Sequence, residues 1–131
     1  LKYILIKFQD LKMTYWGYHL ILDCKNGDLD KVKSASNIKN FVASLVKEIN
    51  MIACGDPKIE HFATHNPDAA GYSLVQLIET SSITGHFVDK NGDSYIDIFS
   101  CKEFDINIAQ SVVKKYFNHK QIKIIYLTRQ A

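Results

Sequence analysis

The sequence predicts an α+β fold, a two-layer α/β sandwich in which a mostly antiparallel sheet has two helices on one face. Two stretches carry apolar residues at the 3.6-residue period of an amphipathic helix. Short runs rich in β-branched and aromatic residues surround them, and four of these runs follow one another without a helix between them. The predicted order is β-α-β-β-β-β-α-β, and each helix has one apolar stripe that can cover the sheet.

The first half of the chain supplies one helix between two strands. Tyr18 to Cys24 is an apolar run and the first predicted strand. Ser36 or Asn37 can cap a helix that ends near Gly55, and Lys58 to Thr64 is the next strand. The apolar positions of this helix are Ile38, Phe41, Val42, Leu45, Val46, Ile49 and Ile52.

Three strands, a second helix and a last strand follow. The strands are Leu74 to Glu79, Ile83 to Val88, and Tyr95 to Phe99. Asn91-Gly92 gives the signal of a hairpin turn before the third of these strands. Asp105 can cap the second helix, and Gln121 to Leu127 is the last strand. The apolar positions of the second helix are Ile108, Ala109, Val112, Val113, Tyr116 and Phe117.

Composition narrows the functional class. The chain has 131 residues, which predicts one domain over 1–131. Its net charge of +2 comes from scattered Lys and Arg, which gives no electrostatic case for nucleic acid. No apolar run reaches the roughly 20 residues of a membrane span. Three cysteines without a paired spacing favour a reducing cytoplasm, and the N-terminus does not have the pattern of a signal peptide. Residues 1–12 alternate in polarity and are either an extension or an extra strand.

Three reactive side chains lie at the ends of neighbouring predicted strands. Ser81 falls at the break between two strands, His86 follows five residues later, and Cys101 follows fifteen residues after that. The hairpin turn folds the Cys101 end back towards His86 and beyond it, so the three side chains are expected to approach one another.

This arrangement resembles the small prokaryotic type of S-adenosylmethionine decarboxylase, a family of self-processing enzymes. In that family a serine is followed after five positions by a histidine, and an Asp-aliphatic-Phe-Ser/Thr-Cys segment ends fifteen positions later. Ser81, His86 and the segment Asp97–Cys101 keep both spacings, and Gly17-Tyr18-His19-Leu20 and Ser73 also fall where the family has them. The resemblance covers roughly Trp16 to Tyr126.

The resemblance implies a pyruvoyl cofactor made from the chain itself. Ser81 Oγ would attack the carbonyl of Thr80, and the ester would eliminate to dehydroalanine, which hydrolyses to an N-terminal pyruvoyl group. His86 would serve proton transfer in this processing, and Ser73 would support the intermediate. Cys101 resembles the family's proton donor, which reprotonates the α-carbon after CO2 leaves. The family's polyamine pathway and homodimeric assembly are implied in the same way.

The sequence also departs from the family pattern. Thr80 and Ser82 stand where Glu and His usually flank the processed serine. Val88 and Lys90 replace a Trp and a Glu that help to hold the nucleoside, and a lysine cannot accept hydroxyl hydrogen bonds. The residues that remain as candidates for substrate binding are Phe62 or Phe87 for stacking on adenine and Glu60, Glu79 or Asp89 for holding a basic side chain.

These departures leave two alternatives open. One is the same chemistry on ornithine or arginine, and the other is an unprocessed, inactive, dimerising homologue. We expect no metal, because the EF-hand-like run from Asp89 lacks the glycine and glutamate that such a loop requires. His61 and His65 lie in a strand and a loop, where their spacing carries little meaning.

Overall fold

The structure is a computed structural model that describes residues 14–131. The alternating segment predicted within residues 1–12 lies outside the described part of the chain. Within that part, no helix is both long enough and apolar enough to cross a membrane.

The predicted fold class is confirmed. Among residues 14–131, one sheet contains six strands in the spatial order β2-β3-β4-β5-β1-β6, and every neighbouring pair is antiparallel. The strand bounds are Gly17–Lys25 (β1), Lys58–Phe62 (β2), Gly71–Ile78 (β3), Ser81–Val88 (β4), Ser94–Ser100 (β5) and Gln121–Arg129 (β6).

The described part of the chain has three helices beside the sheet, namely Leu29–Val32 (α1), Ala35–Glu48 (α2) and Ile106–Phe117 (α3). Asp105 caps α3 as predicted, because its carboxylate accepts from two backbone N–H groups of the first turn. The cap of α2 is Ser34 and not Ser36 or Asn37, and the Ser34 hydroxyl accepts from the N–H of Asn37. The one-turn helix α1 was not predicted because four residues are too few to show a helical period.

The first long helix ends earlier than its sequence pattern indicates. Asn50 has a φ of 58°, a left-handed conformation that terminates helices. The chain then runs beside β3, where Ala53 forms a bridge with Ile78 and Cys54 N–H donates to the Leu77 carbonyl. Ile52 is consequently 61% exposed, although it was predicted to lie on the buried stripe.

The core lies between the two long helices and one face of the sheet. Phe41 of α2, Phe87 of β4 and Phe117 of α3 are fully buried and pack ring against ring at its centre. Alternation along a strand places the residues between the buried ones on the opposite face. We call this opposite face the open face. Its members on the three central strands β3 to β5 are Ser73, Val75, Leu77, Ser82, Thr84, His86, Tyr95, Asp97 and Phe99.

A buried histidine predicts a pH dependence of stability. His119 hydrogen-bonds through Nε2 to Ser94 Oγ at 2.9 Å, and burial lowers the pKa of His119 to about 4 against the attraction of Asp93 and Asp28. Its contribution to the free energy of unfolding is fully present above about pH 6.5 and is lost as the pH falls towards 4. Only the unfolded chain binds a proton in that range, so the loss is on the order of 3 kcal/mol.

Urea unfolding between pH 7.5 and 4 measures this slope. His119→Gln is expected to lower stability at neutral pH and to reduce the slope between pH 6.5 and 4. The exposed His65 provides the control, because His65→Gln should leave the slope as it is. An unchanged slope in His119→Gln would assign the pH dependence to other groups.

Candidate active site

Ser81 begins β4 directly after a two-residue turn. Ile78 pairs with Ser81, so the turn consists of Glu79 and Thr80. Such turns usually contain glycine or asparagine with a positive φ, because this matches the twist of the strands. Neither turn residue has a positive φ here, and Ser81 itself has a φ of 156°. Residues other than glycine rarely adopt such values, at a cost of about 1–3 kcal/mol. The strain therefore lies next to the Thr80–Ser81 peptide bond.

The carbonyl of that peptide bond already has a hydrogen-bond donor. The backbone N–H of Cys101 donates to the Thr80 carbonyl oxygen at 2.9 Å. A donor at this position polarises the carbonyl, and it would stabilise the negative charge that develops when a nucleophile adds to the carbonyl carbon. The contact links residues twenty-one positions apart in the sequence because Ser81 pairs with Ser100 across β4 and β5.

The side chain of Thr80 is held as well. Ser100 Oγ donates to Thr80 Oγ1 at 2.8 Å, and Thr80 Oγ1 donates to Met51 Sδ at 3.3 Å. Sequence reasoning assigned no role to Ser100 or Met51. Ser100 could have been noticed, since it directly precedes Cys101 in the recognised segment. Nothing local marks Met51, because it reaches the site from the irregular segment after α2.

Cys101 lies just beyond the end of β5, beside the start of β4. Its side chain is exposed, as is that of Cys54. Cys24 differs from both, because burial raises the pKa of its thiol to about 12 and Asp23 adds to this effect. A thiol with such a pKa stays protonated and inert at neutral pH. Cys101 is therefore a cysteine within reach of solvent next to the Thr80–Ser81 bond.

Ser73 and His86 form a second pair at a different place on the sheet. They face each other in the β3–β4 register, and the Ser73 hydroxyl and His86 Nδ1 are hydrogen-bonded at 2.9 Å. Both side chains lie on the open face. Glu60 of β2 is the register partner of Ser73 on its other side. The structure thus brings the side chains of Ser73 and His86 together.

The expectation that serine, histidine and cysteine meet within one chain is wrong. Ser81 and His86 are five residues apart on a single strand, which separates them by about 17 Å. A continuous strand cannot fold back on itself, so the distance is fixed by the backbone. One chain therefore contains two half-sites, one with Ser81 and Cys101 and the other with Ser73 and His86.

Three of the five candidates for substrate binding, Phe62, Glu79 and Phe87, have different environments. Phe62 is 53% exposed at the end of the edge strand β2, and Glu79 is exposed in the turn beside Ser81. Phe87 is 1% exposed and packs against Phe117 with ring centroids 4.9 Å apart. The prediction that Phe87 stacks on a base is wrong, because strand alternation turns it towards the helices.

Lys90, which replaces the family's Glu, and its neighbour Asp89 hold a loop in place. Asp89 Oδ2 lies 2.6 Å from Nε2 of His61, and Lys90 pairs with Asp68. Asp89 N–H also donates to the Ala70 carbonyl. These contacts attach the β2–β3 loop to the β4–β5 turn. Asp89 and Lys90 therefore each have a charged or ionisable partner within the protein.

An aromatic pocket that sequence reasoning missed adjoins the Ser81 half-site. Trp16 stacks on Phe99 with ring centroids 6.1 Å apart, and the Arg129 guanidinium lies 5.4 Å from the Phe99 centroid. Together with Gln130 and Ala131 these residues line a cavity of about 340 Å³. Phe99 is the register partner of Ser82, and both lie on the open face. The pocket is therefore next to the residue that follows Ser81.

Comparison with known proteins defines the class of this site. The sequence profile of the family described as S-adenosylmethionine decarboxylase matches residues 18–130. The chain therefore belongs to the S-adenosylmethionine decarboxylase family, whose members are carboxy-lyases.

Individual relatives agree with this assignment. The S-adenosylmethionine decarboxylase proenzyme of Clostridium botulinum strain Langeland is 28% identical over 118 residues, which is 89% of this chain and 97% of the relative. The proenzyme of Bacillus velezensis is 28% identical over 102 residues, covering 77% and 75% of the two chains. The crystal structure of the adenosylmethionine decarboxylase from Aquifex aeolicus superposes with a TM-score of 0.76 at 21% identity. It covers 90% of this chain and 93% of that one, and it supports the same fold.

Proposed function

We propose that the chain is a proenzyme that cleaves itself between Thr80 and Ser81 and then decarboxylates S-adenosylmethionine for spermidine synthesis. The observation that carries this proposal is the hydrogen bond from Cys101 N–H to the Thr80 carbonyl. It lies at the bond that the reaction must break, beside a serine with a strained φ. The relatives with the proenzyme name support the same reading.

Self-cleavage assigns a task to each group at the Ser81 half-site. Ser81 Oγ adds to the Thr80 carbonyl carbon, and the Cys101 N–H stabilises the oxyanion. The bond from the Thr80 carbonyl carbon to the Ser81 nitrogen then breaks, which frees the Ser81 amine and leaves an ester between the two halves. The ester eliminates when a base removes the Ser81 α-proton. Hydrolysis with release of ammonia then leaves residues 1–80 with a free carboxylate and residues 81–131 with an N-terminal pyruvoyl group.

The residues present fit a pyruvoyl group at position 81. When present, the group supplies the electron sink that α-decarboxylation requires. The exposed Cys101 thiol lies at the same end of the sheet and returns a proton to the substrate's α-carbon. Trp16 and Phe99 offer stacked aromatic rings to an adenine, which favours S-adenosylmethionine over ornithine or arginine.

A homodimer would complete the site. Ser73 and His86 are about 17 Å from Ser81 of their own chain, so they serve the Ser81 of a partner that packs against the open face. That face exposes Val75, Leu77 and Tyr95, which are 45%, 57% and 45% accessible in the single chain. Apolar exposure on this scale is typical of an interface. In this arrangement His86 of the partner subunit acts as the base, oriented by its bond to Ser73.

The intact mass of the purified protein under denaturing conditions tests the proposal. We expect two species, residues 1–80 and residues 81–131, with the second lighter by the ammonia that is lost. Decarboxylation of S-adenosylmethionine should accompany the cleaved form. If the cleaved protein decarboxylated only ornithine or arginine, the pyruvoyl-dependent reaction would stand and the substrate assignment would change. A single full-length mass after long incubation would contradict the proposal and indicate an unprocessed homologue.

Replacing Cys101 should separate cleavage from turnover. Cys101→Ala keeps the backbone N–H that binds the Thr80 carbonyl, so cleavage should proceed. Loss of the proton donor should lower kcat by about 10²-fold or more. Mass spectrometry and CO2 release measure the two steps on one sample. Cys54 is also an exposed cysteine, so Cys54→Ala is the matched control. It should equal the unmodified protein in both cleavage and turnover. Equal loss of cleavage and turnover in Cys101→Ala would mean that its role is misassigned.

A further inference from the structure

A buried serine beside the Thr80–Ser81 bond has no task in the mechanism above. Ser100 is the last residue of β5 and is 0% exposed. Its hydroxyl accepts from the backbone N–H of Lys102 at 3.0 Å and donates to Thr80 Oγ1 at 2.8 Å. A buried hydroxyl costs stability unless it is hydrogen-bonded, so these contacts are what Ser100 requires at this position.

The Thr80 side chain belongs to a small group of hydrogen-bonded side chains with Ser100 and Met51. Ser100 Oγ accepts from Lys102 N–H and donates to Thr80 Oγ1 at 2.8 Å, with Met51 Sδ as a longer acceptor at 3.7 Å. Thr80 Oγ1 in turn donates to Met51 Sδ at 3.3 Å. The Thr80 hydroxyl thus has a hydrogen-bond partner on each side, and these two contacts restrict the rotamer of the Thr80 side chain.

Two consecutive residues hold Thr80 at two points. Cys101 binds its main-chain carbonyl, and Ser100 binds its side chain. The peptide plane that carries this carbonyl can tilt through the backbone angles of Thr80 and Ser81, and a second contact to the Thr80 side chain restricts that tilt. Intramolecular attack depends steeply on such orientation, because small misplacements of the reacting atoms raise the barrier.

We propose that Ser100 is a positioning residue for self-cleavage, which acts through the hydroxyl of Thr80 to keep the Thr80 carbonyl on the Cys101 N–H. The inference rests on the proposed function, since it concerns the same bond. In this proposal the Thr80 hydroxyl accepts the hydrogen bond from Ser100, and this contact restrains the adjoining carbonyl. Ser100 touches neither the attacking oxygen nor the carbonyl, and it does not take part in turnover after cleavage.

The rate of cleavage during a time course after cell-free synthesis of the full chain tests this role, with intact mass as the readout. Ser100→Ala and Thr80→Val should each slow cleavage about tenfold, the effect of one lost hydrogen bond in the transition state. The double variant should be no slower than either single variant, because both remove the same contact. Thr80→Ser keeps the hydroxyl and should cleave at close to the unmodified rate.

A second buried serine on the same strand separates positioning from stability. Ser94 is also 0% exposed and hydrogen-bonds to a side chain, His119, at the far end of β5. Ser94→Ala should lower the melting temperature about as much as Ser100→Ala while leaving the cleavage rate unchanged. Unchanged cleavage in Ser100→Ala, multiplied effects in the double variant, or equal slowing by Ser94→Ala would each overturn the inference. An unmodified chain that never cleaves would instead refute the proposed function, and this inference would fail with it.

Discussion

Ser81→Ala is expected to abolish cleavage completely and leave a single full-length mass. The variant removes the hydroxyl oxygen that we propose attacks the Thr80 carbonyl, and an alanine methyl group offers no substitute. Without cleavage there is no pyruvoyl group, so decarboxylation should fall to background as well. Intact mass under denaturing conditions measures the first effect, and CO2 release from carboxyl-labelled substrate measures the second.

The neighbouring serine provides the control. Ser82 is the next residue, and strand alternation turns its side chain to the open face. Ser82→Ala should therefore still cleave between residues 80 and 81. Cleavage that persisted in Ser81→Ala would refute the assignment of the nucleophile. Loss of cleavage in Ser82→Ala but not in Ser81→Ala would instead assign the nucleophile to Ser82.

The second large effect is complementation between two inactive variants. His86→Ala keeps its own Ser81 but has no base, and Ser81→Ala keeps His86 but has no nucleophile. Each should remain uncleaved when expressed alone. Co-expressed as a heterodimer, the two should form one complete site, so that the His86→Ala chain is cleaved while the Ser81→Ala chain stays intact. The physical reason is the separation of about 17 Å along β4, which prevents His86 from reaching Ser81 of its own chain.

Different affinity tags on the two chains allow the heterodimer to be isolated before its mass is measured. Pairing His86→Ala with a chain that carries both substitutions should give no cleavage, because no His86 remains. An intact His86→Ala chain in a verified heterodimer would contradict a shared site. So would a monomeric unmodified protein that cleaves at the full rate, since it would show that one chain is sufficient.

Local sequence signals determined most of the architecture. The periods of 3.6 and 2 residues predicted the order of the strands and the two long helices, and all of these elements are present. Asp105 caps its helix as predicted, and Gly92, with a φ of 79°, lies in the predicted hairpin turn. Ser81 stands directly after a turn, as the break between two apolar runs indicated. These features depend on residues within a few positions of one another, so a single sequence contains them.

Only the tertiary structure decided what surrounds the Thr80–Ser81 bond. The pairing of β4 with β5 brings Cys101 N–H to the Thr80 carbonyl and Ser100 to the Thr80 hydroxyl, and Met51 arrives from the segment after α2. None of these partners lies near Thr80 in sequence. Their contacts depend on strand register, and register follows from the burial pattern of the whole sheet and from the geometry of its turns.

The tertiary structure also corrected predictions that inferred proximity in space from spacing in the sequence. His86 and Phe87 are adjacent in sequence, yet one lies on the open face and the other in the core. Ser73 and His86 meet, whereas Ser81 and His86 do not, although both pairs match the spacing of the family. The spacing of a motif identifies the residues that take part. Backbone direction and sheet pairing decide which of them share a site, because a strand holds its residues about 3.3 Å apart and cannot bend to bring distant ones together.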